Sequence, residues 1–213
     1  MARITISTRQ RLDLKRPVTD LAHIRAALAR EGRPSSDFDL NPETVLPEGR
    51  KLRPAGVLVA VSGGEAGLEL ILTKRSSALK HHPGQIAFPG GKQDDDDPSV
   101  EGAALREAHE EVGLPPDQVE ILGALPSHET VTGFIVTPFV GFVHGEFAPV
   151  PEPGEVDEVF SVPLSHVLEE ANFVIEGRRW RGQRRSYFAV PYGPYYIWGA
   201  TARMLRSWTD LMK

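Results

Sequence analysis

Three carboxylates fall within five residues in the run Arg106-Glu107-Ala108-His109-Glu110-Glu111-Val112-Gly113-Leu114. On a helix, Glu107 and Glu111 lie one turn apart on the same face, with Glu110 beside them. Like charges at this spacing destabilise an isolated helix. Hard divalent cations, which prefer oxygen ligands, are natural partners for such a cluster. A solvated acidic helix face is the plainer alternative, and the preceding residues bear on the choice.

Phe88-Pro89-Gly90-Gly91 reads as a strand end followed by a tight Gly-Gly turn, where backbone can approach a ligand closely. An acidic loop follows, Asp94 to Asp97, and then Pro98-Ser99 as a helix start. This order resembles the Nudix hydrolases, whose box reads Gly, five residues, Glu, seven residues, then Arg-Glu-apolar-x-Glu-Glu-x-Gly-apolar. Arg106 to Leu114 match the second half throughout, with Ala108 at the apolar site. The first half departs: counted from Gly91, the acidic position is Asp97, and eight residues separate it from Arg106.

The extra residue and the Asp resemble the coenzyme A pyrophosphatase-like branch. That branch has an upstream motif of Leu-Leu-Thr-x-Arg-Ser, then Leu-Arg-x-His-x-Gly, then Phe-Pro-Gly-Gly. Here Ile71-Leu72-Thr73-Lys74-Arg75-Ser76 leads through Leu79-Lys80-His81-His82-Pro83-Gly84 to Phe88-Pro89-Gly90-Gly91. Lys80 replaces the family's Arg, which keeps the charge and loses the bidentate fork. Thr137-Pro138-Phe139, Glu158-Val159-Phe160 and Trp198-Gly199-Ala200-Thr201-Ala202 extend the likeness over roughly residues 50 to 205.

The resemblance implies an α/β fold, the Nudix α/β/α sandwich with mixed sheets. It implies Mg²⁺ or Mn²⁺ held by Glu107 and Glu111, with Glu110 nearby and the Gly91 or Gly90 carbonyl completing the shell. It implies Arg106 as the residue orienting a box carboxylate, and Arg75, Lys80 and His82 as contacts to substrate phosphates. The substrate would be coenzyme A, cleaved to 4′-phosphopantetheine and adenosine 3′,5′-bisphosphate. Another nucleoside diphosphate derivative (ADP-ribose, NADH, a dinucleotide) and a silent nucleotide-binding regulator are the rivals. The intact glutamates weigh against silence.

The elements that must position these residues are legible from periodicity. Pro54 to Val61 and Leu68 to Thr73 read as a strand pair across a Gly-rich link, and Gln85 to Phe88 as a short strand. The box helix runs from Ser99 to Val112 and stops at Gly113. Val119 to Leu125, Val136 to Val143 and Val156 to Val162 are further strands, and Ser165 to Ala171 a helix. Phe173 to Glu176 and Ser186 to Pro191 form a second hairpin. Ile197 to Leu211 reads as a closing helix. Residues 1–52 form an N-terminal extension with a short amphipathic helix over 20–30, its apolar residues at 21, 24, 27 and 28, and a wrapping loop from Glu31 to Arg53. Residues 53–213 form the hydrolase domain. That helix is too short to stand alone, so it should pack on the domain or on a second copy in a homodimer.

The general base is open. Glu129, beside the Gly-containing loop Thr132-Gly133-Phe134, ranks ahead of Glu155. Glu158, His128 and a box glutamate such as Glu110 are the other candidates. Asp97 has three readings: ligand, cap or loop-shaping residue. The rest of the Asp94–Asp97 run reads as solvated. His81 and His82 adjoin on an extended segment and so diverge, which argues against an imidazole metal site.

At 213 residues, with a net charge of −5 and no cysteine, the chain excludes disulfides, thiolate metal sites and a cysteine nucleophile. That charge gives no expectation of general nucleic-acid affinity, although a local basic patch could bind a phosphorylated small molecule. No run reaches the ~18 apolar residues of a membrane span. The N-terminal stretch lacks a continuous apolar core and reads as a cytoplasmic start.

Overall fold

In the computed structural model, residues 20–65, 67–180 and 182–213 are described. The reading of the first seventeen residues as a cytoplasmic start lies outside them. The elements run α1 (Leu21–Leu28), β1 (Ser35–Ser36), β2 (Arg53–Gly64), β3 (Gly67–Arg75), β4 (Ile86–Ala87), β5 (Gly90–Lys92), α2 (Val100–Val112), β6 (Val119–Ala124), β7 (His128–Glu129) and β8 (Phe134–Val143). They continue with β9 (Val156–Pro163), α3 (Leu164–Val167), β10 (Val174–Trp180), β11 (Gln183–Tyr192), β12 (Tyr195–Trp198) and α4 (Ala200–Leu211).

The main sheet is mixed, in the order β1-β7-β8-β2-β3-β4, with β5 joined to β2, β6 to β8 and β9 to β3. The β2–β8 pair is parallel and the β2–β3 hairpin antiparallel. Alternation along β2 sends Leu58 and Ala60 to one face, where Ala108 and Val112 of α2 cover them. Val59 and Val61 face the other side and join Leu205 and Trp208 of α4 and Ile197 of β12. The result is the expected α/β/α sandwich. The small residues Ala103, Ala104 and Ala108 are fully buried and let α2 lie close against the sheet. Ser99 caps α2 by accepting from the Gly102 N–H at 3.0 Å, and Gly113 ends it at φ 73°.

Three features differ from the expected pattern. Gly90–Lys92 forms a strand on β2, with Gly91 opposite Gly56, where the sequence reads as a turn. The closing helix begins at Ala200, because Tyr195–Trp198 pairs with β11 and Gly199 turns the chain at φ 65°. The helix expected at 165–171 is a single turn, Leu164–Val167, followed by a 3₁₀ turn at Glu170–Asn172.

Helix α1 packs on the sheet of its own chain. Ile24 and Ala27 are fully buried in the core that α4 shares. Asp20 caps the helix through the His23 N–H at 2.7 Å. β1 then pairs with β7 at the sheet edge. There His128 is fully buried between Ser35 Oγ at 2.9 Å and Asp37 Oδ1 at 3.1 Å. Ile24→Ala should therefore destabilise the whole domain by about 2–5 kcal/mol, the cost of a buried Ile-sized cavity. Chemical denaturation measures it, and a loss under about 0.5 kcal/mol would detach α1 from the core.

Candidate active site

The box helix runs under β5, and glycine makes the contact possible. A Cβ on Gly91 would stand 2.5 Å from Glu107 Oε1, so the missing side chain leaves room for that carboxylate. Gly90 sits at φ 146°, where a Cβ would meet the Gly56 carbonyl oxygen at 2.5 Å. Its N–H donates to Glu111 Oε2 at 3.0 Å. The Gly-Gly step thus fixes both box glutamates against the sheet edge.

Glu111 is 5 % exposed, and burial, its main perturbation, raises its pKa to about 7. Arg75 of β3 faces it at 3.8 Å, beyond hydrogen-bond reach, and offsets burial only in part. Glu107 is also raised, first by burial, with Glu110 and Glu155 adding to the effect and Arg106 opposing it. Glu155 repels Glu111 as well. Its position follows from backbone bonds. Val150 and Glu152 N–H donate to the carbonyls of Val112 and Glu111 at 2.9 Å each, which staples the loop to the end of α2. The Ser76 N–H then takes the Glu155 carbonyl at 2.8 Å, beside Arg75.

Arg106 organises the opposite side. Its Nε and Nη2 donate to the two Asp97 oxygens at 2.8 and 2.9 Å, and its Nη1 to Glu110 at 2.9 Å. Glu107 lies 3.2 Å away. This forked pair pulls the Asp97 carboxyl down to about 2. Asp97 holds Arg106, and Arg106 in turn spreads Glu107 and Glu110.

Other expected residues lie elsewhere. Glu129 pairs with Arg50 on β7, separated from β5 by β8 and β2. Glu158 stands opposite Lys74, on the sheet face away from α2, and accepts from the Tyr195 hydroxyl at 2.5 Å. Lys80 and His82 are exposed on the loop between β3 and β4. That loop is closed at its base by the Gly84 N–H to the Arg75 carbonyl at 3.0 Å. His82 is at φ 55°, so the histidine pair sits in a turn and not in an extended segment. An open groove of about 520 Å³ lies apart from these carboxylates, between residues 31–34 and α4.

The model of the NUDIX domain matches residues 52–181. The chain belongs to the Nudix family. Nudix hydrolase NudL of Enterobacter sp. (strain 638) is 44% identical over 155 residues, covering 73% of this chain and 80% of its own. That of Citrobacter koseri is 41% identical over 172 residues, covering 81% and 89%. The crystal structure of the Nudix hydrolase RenU from M. smegmatis is 25% identical, with a TM-score of 0.46 over 55% of this chain and 73% of its own.

Within this Nudix hydrolase, the donor chemistry suits a hard divalent cation. Glu107 and Glu111 repel each other or a neighbouring carboxylate and are both raised, first by burial, with the charge of Glu155 adding to each. Among the described residues, no three acidic or imidazole groups converge as a closed cage. Glu107 and Glu110 are turned to Arg106, and Glu111 to Gly90.

The raised Glu111 makes a stability prediction. Its folded pKa of about 7 lies above the ordinary 4.5, so the folded state binds the proton more tightly. Below pH 4.5 both states are protonated and stability is full. Between 4.5 and 7 the unfolded chain ionises first and stability falls, by about 3 kcal/mol in total. Cation-free protein should show this fall in denaturant titrations at pH 5 and pH 8. Glu111→Gln should flatten it, and an equal slope in the variant would assign the effect to other groups.

Proposed function

We propose that this Nudix hydrolase cleaves the diphosphate linkage of coenzyme A or its derivatives, giving 4′-phosphopantetheine and adenosine 3′,5′-bisphosphate. The observation that carries the reading is Arg75, from the upstream motif, facing Glu111 of the box at 3.8 Å. Two sequence signals separated by 36 positions thereby meet at the largely buried Glu111 carboxylate, with Arg75 on its more open side. A guanidinium there can take a phosphate oxygen of a substrate that reaches the carboxylates.

Glu107 and Glu111, with Gly91 backbone beside them and Glu110 at the rim, are the groups that would hold Mg²⁺ or Mn²⁺. When bound, the ion neutralises diphosphate charge and acidifies water. Arg106, locked by Asp97, keeps the glutamates from collapsing or dispersing. Glu155, whose charge acts on both Glu107 and Glu111, is the group assigned in this reading to accept the proton of the attacking water. The water oxygen forms the new bond to phosphorus, the bridging P–O bond breaks, and the electron pair leaves on the departing phosphate. Residues 53–213 form the hydrolase domain in this reading, and residues 1–52 an extension whose described part, from Asp20 onward, packs on the sheet through Ile24 and Ala27.

Phosphate release, read with an added phosphatase, tests substrate choice over coenzyme A, acyl-coenzyme A, ADP-ribose, NADH and dinucleotides. Arg75→Ala and Lys80→Ala should raise KM for coenzyme A by about tenfold each, the value of a contact of ~1.4 kcal/mol. The concentration of Mn²⁺ needed for half activity should change less. Lys80→Arg should tighten binding or leave it unchanged. Efficient cleavage of ADP-ribose with no cleavage of coenzyme A would remove the substrate assignment and keep the hydrolase.

A further inference from the structure

Alternation along β11 and β12 divides their side chains between two faces. Phe188, Val190, Tyr192, Tyr195 and Ile197 join the core that α4 shares. Tyr187, Tyr196 and Trp198 therefore belong to the outer face. An outer face of an antiparallel sheet ordinarily carries polar residues, and here it carries three rings. Tyr196 is 38 % exposed, and Tyr187 and Trp198 are half-buried. The Tyr187 and Trp198 rings stand 5.1 Å apart, tilted by 58°. The Tyr196 hydroxyl is engaged by Tyr187 and Glu176. The Trp198 indole N–H has no hydrogen-bond partner among the described residues.

This face adjoins the upstream motif. Thr201 Oγ1, at the start of α4, donates to the Ile86 carbonyl of β4 at 3.0 Å. The Gln85 amide lies against the turn between β12 and α4, where a Cβ on Gly199 would meet its Nε2 at 3.6 Å. That amide is half-buried and makes no side-chain hydrogen bond among the described residues. The Gln85 carbonyl accepts from the Arg75 N–H at 2.9 Å, so the two residues are one strand spacing apart, about 4.8 Å. Arg75 in turn faces Glu111 at 3.8 Å. Glu111, Arg75, Gln85 and the Trp198–Gly199 corner thus succeed one another in space.

We infer that Gln85 and Trp198 form a subsite for the adenine base of the substrate. This rests on the proposed cleavage of an adenine-bearing diphosphate and adds the part of the molecule that the carboxylates do not read. A diphosphate held at Arg75 leaves its ribose and base to extend toward Gln85, one strand away. A primary amide offers a donor and an acceptor side by side, which match N7 and the exocyclic amino group of adenine. The half-open rings supply a stacking platform for the base. The pantetheine half of coenzyme A has no π-face to stack there.

Isothermal titration of the full chain with AMP tests this, because AMP carries the base and no diphosphate linkage to be cleaved. Wild type should bind AMP about tenfold more tightly than IMP, whose oxo group replaces the amino donor. Trp198→Ala should weaken AMP binding by at least about tenfold, and Trp198→Phe should keep most of it. Gln85→Leu leaves the rings in place and should abolish the preference for AMP over IMP, which decides the matter even where Trp198→Ala does not fold. Neither change should alter the affinity for 4′-phosphopantetheine. Several results would overturn the subsite: wild type that does not bind AMP at about 1 mM, equal binding of AMP and IMP, a Gln85→Leu protein that keeps the preference, or folded Trp198→Ala that loses 4′-phosphopantetheine in place of AMP. The cleavage reading fails separately. A protein with this pattern of AMP binding that leaves every adenine-bearing diphosphate intact would lose the hydrolysis and keep the base subsite.

Discussion

Glu111→Gln lowers turnover by about 10²–10³, the range for removing one preorganised charged group from a reacting site. The residue has the position for such an effect. It is 5 % exposed, held by the Gly90 N–H at 3.0 Å and faced by Arg75 at 3.8 Å. Glutamine is nearly isosteric and can still accept the Gly90 bond. What it removes is the charge. In an oxygen cluster that must hold a divalent ion, that charge cannot be supplied by the exposed Glu110, which is turned to Arg106. Folding is spared, because the carboxylate itself opposes folding when ionised. The variant should unfold at the same or higher denaturant concentration at pH 8 without cations. Wild-type protein treated with EDTA should be inactive and recover with Mg²⁺ or Mn²⁺. A Glu111→Gln protein with full kcat would detach the box from the chemistry.

The box helix was legible because its determinants are local. Ser99, the alanine face and Gly113 each act within one or two turns, and the glutamate spacing needs no tertiary information. Gly90–Lys92 reads as a turn in sequence because its pairing with Ala55–Val57 spans more than thirty residues. A three-residue strand of Gly-Gly-Lys carries no alternation to reveal it. Tyr195–Trp198 is a different case. Its aromatic run has strand character, but it directly precedes a helical pattern, and only Gly199 at φ 65° separates the two. Asp97 had three local readings, and the bidentate contact from Arg106 selects among them. That contact depends on how the loop folds back across the helix. Arg75 was marked by its motif, but its meeting with Glu111 depends on β3 lying beside the end of α2.

Glu155→Gln lowers kcat by about 10²–10⁴, the usual contribution of a positioned general base, while Glu129→Gln stays within about threefold of wild type. This reverses the order that the sequence favours. Glu129 neighbours a glycine-containing loop, a reasonable sign of a cleft, yet its carboxylate is spent on Arg50 across two strands from β5. Glu155 sits in a Pro-rich loop with no periodicity. Its one sequence signal is its place just before the Val156–Phe160 strand. The loop's position is decided by backbone bonds from Val150 and Glu152 to the end of α2 and from Ser76 to Glu155. Those bonds bring the carboxylate into the field of Glu107 and Glu111. A base there should govern the acidic limb of the pH–rate profile. Glu155→Gln should abolish that limb, and Glu129→Gln should preserve it. If instead Glu155→Gln retains both the limb and its rate, the base lies elsewhere, and a box carboxylate is the next group to test.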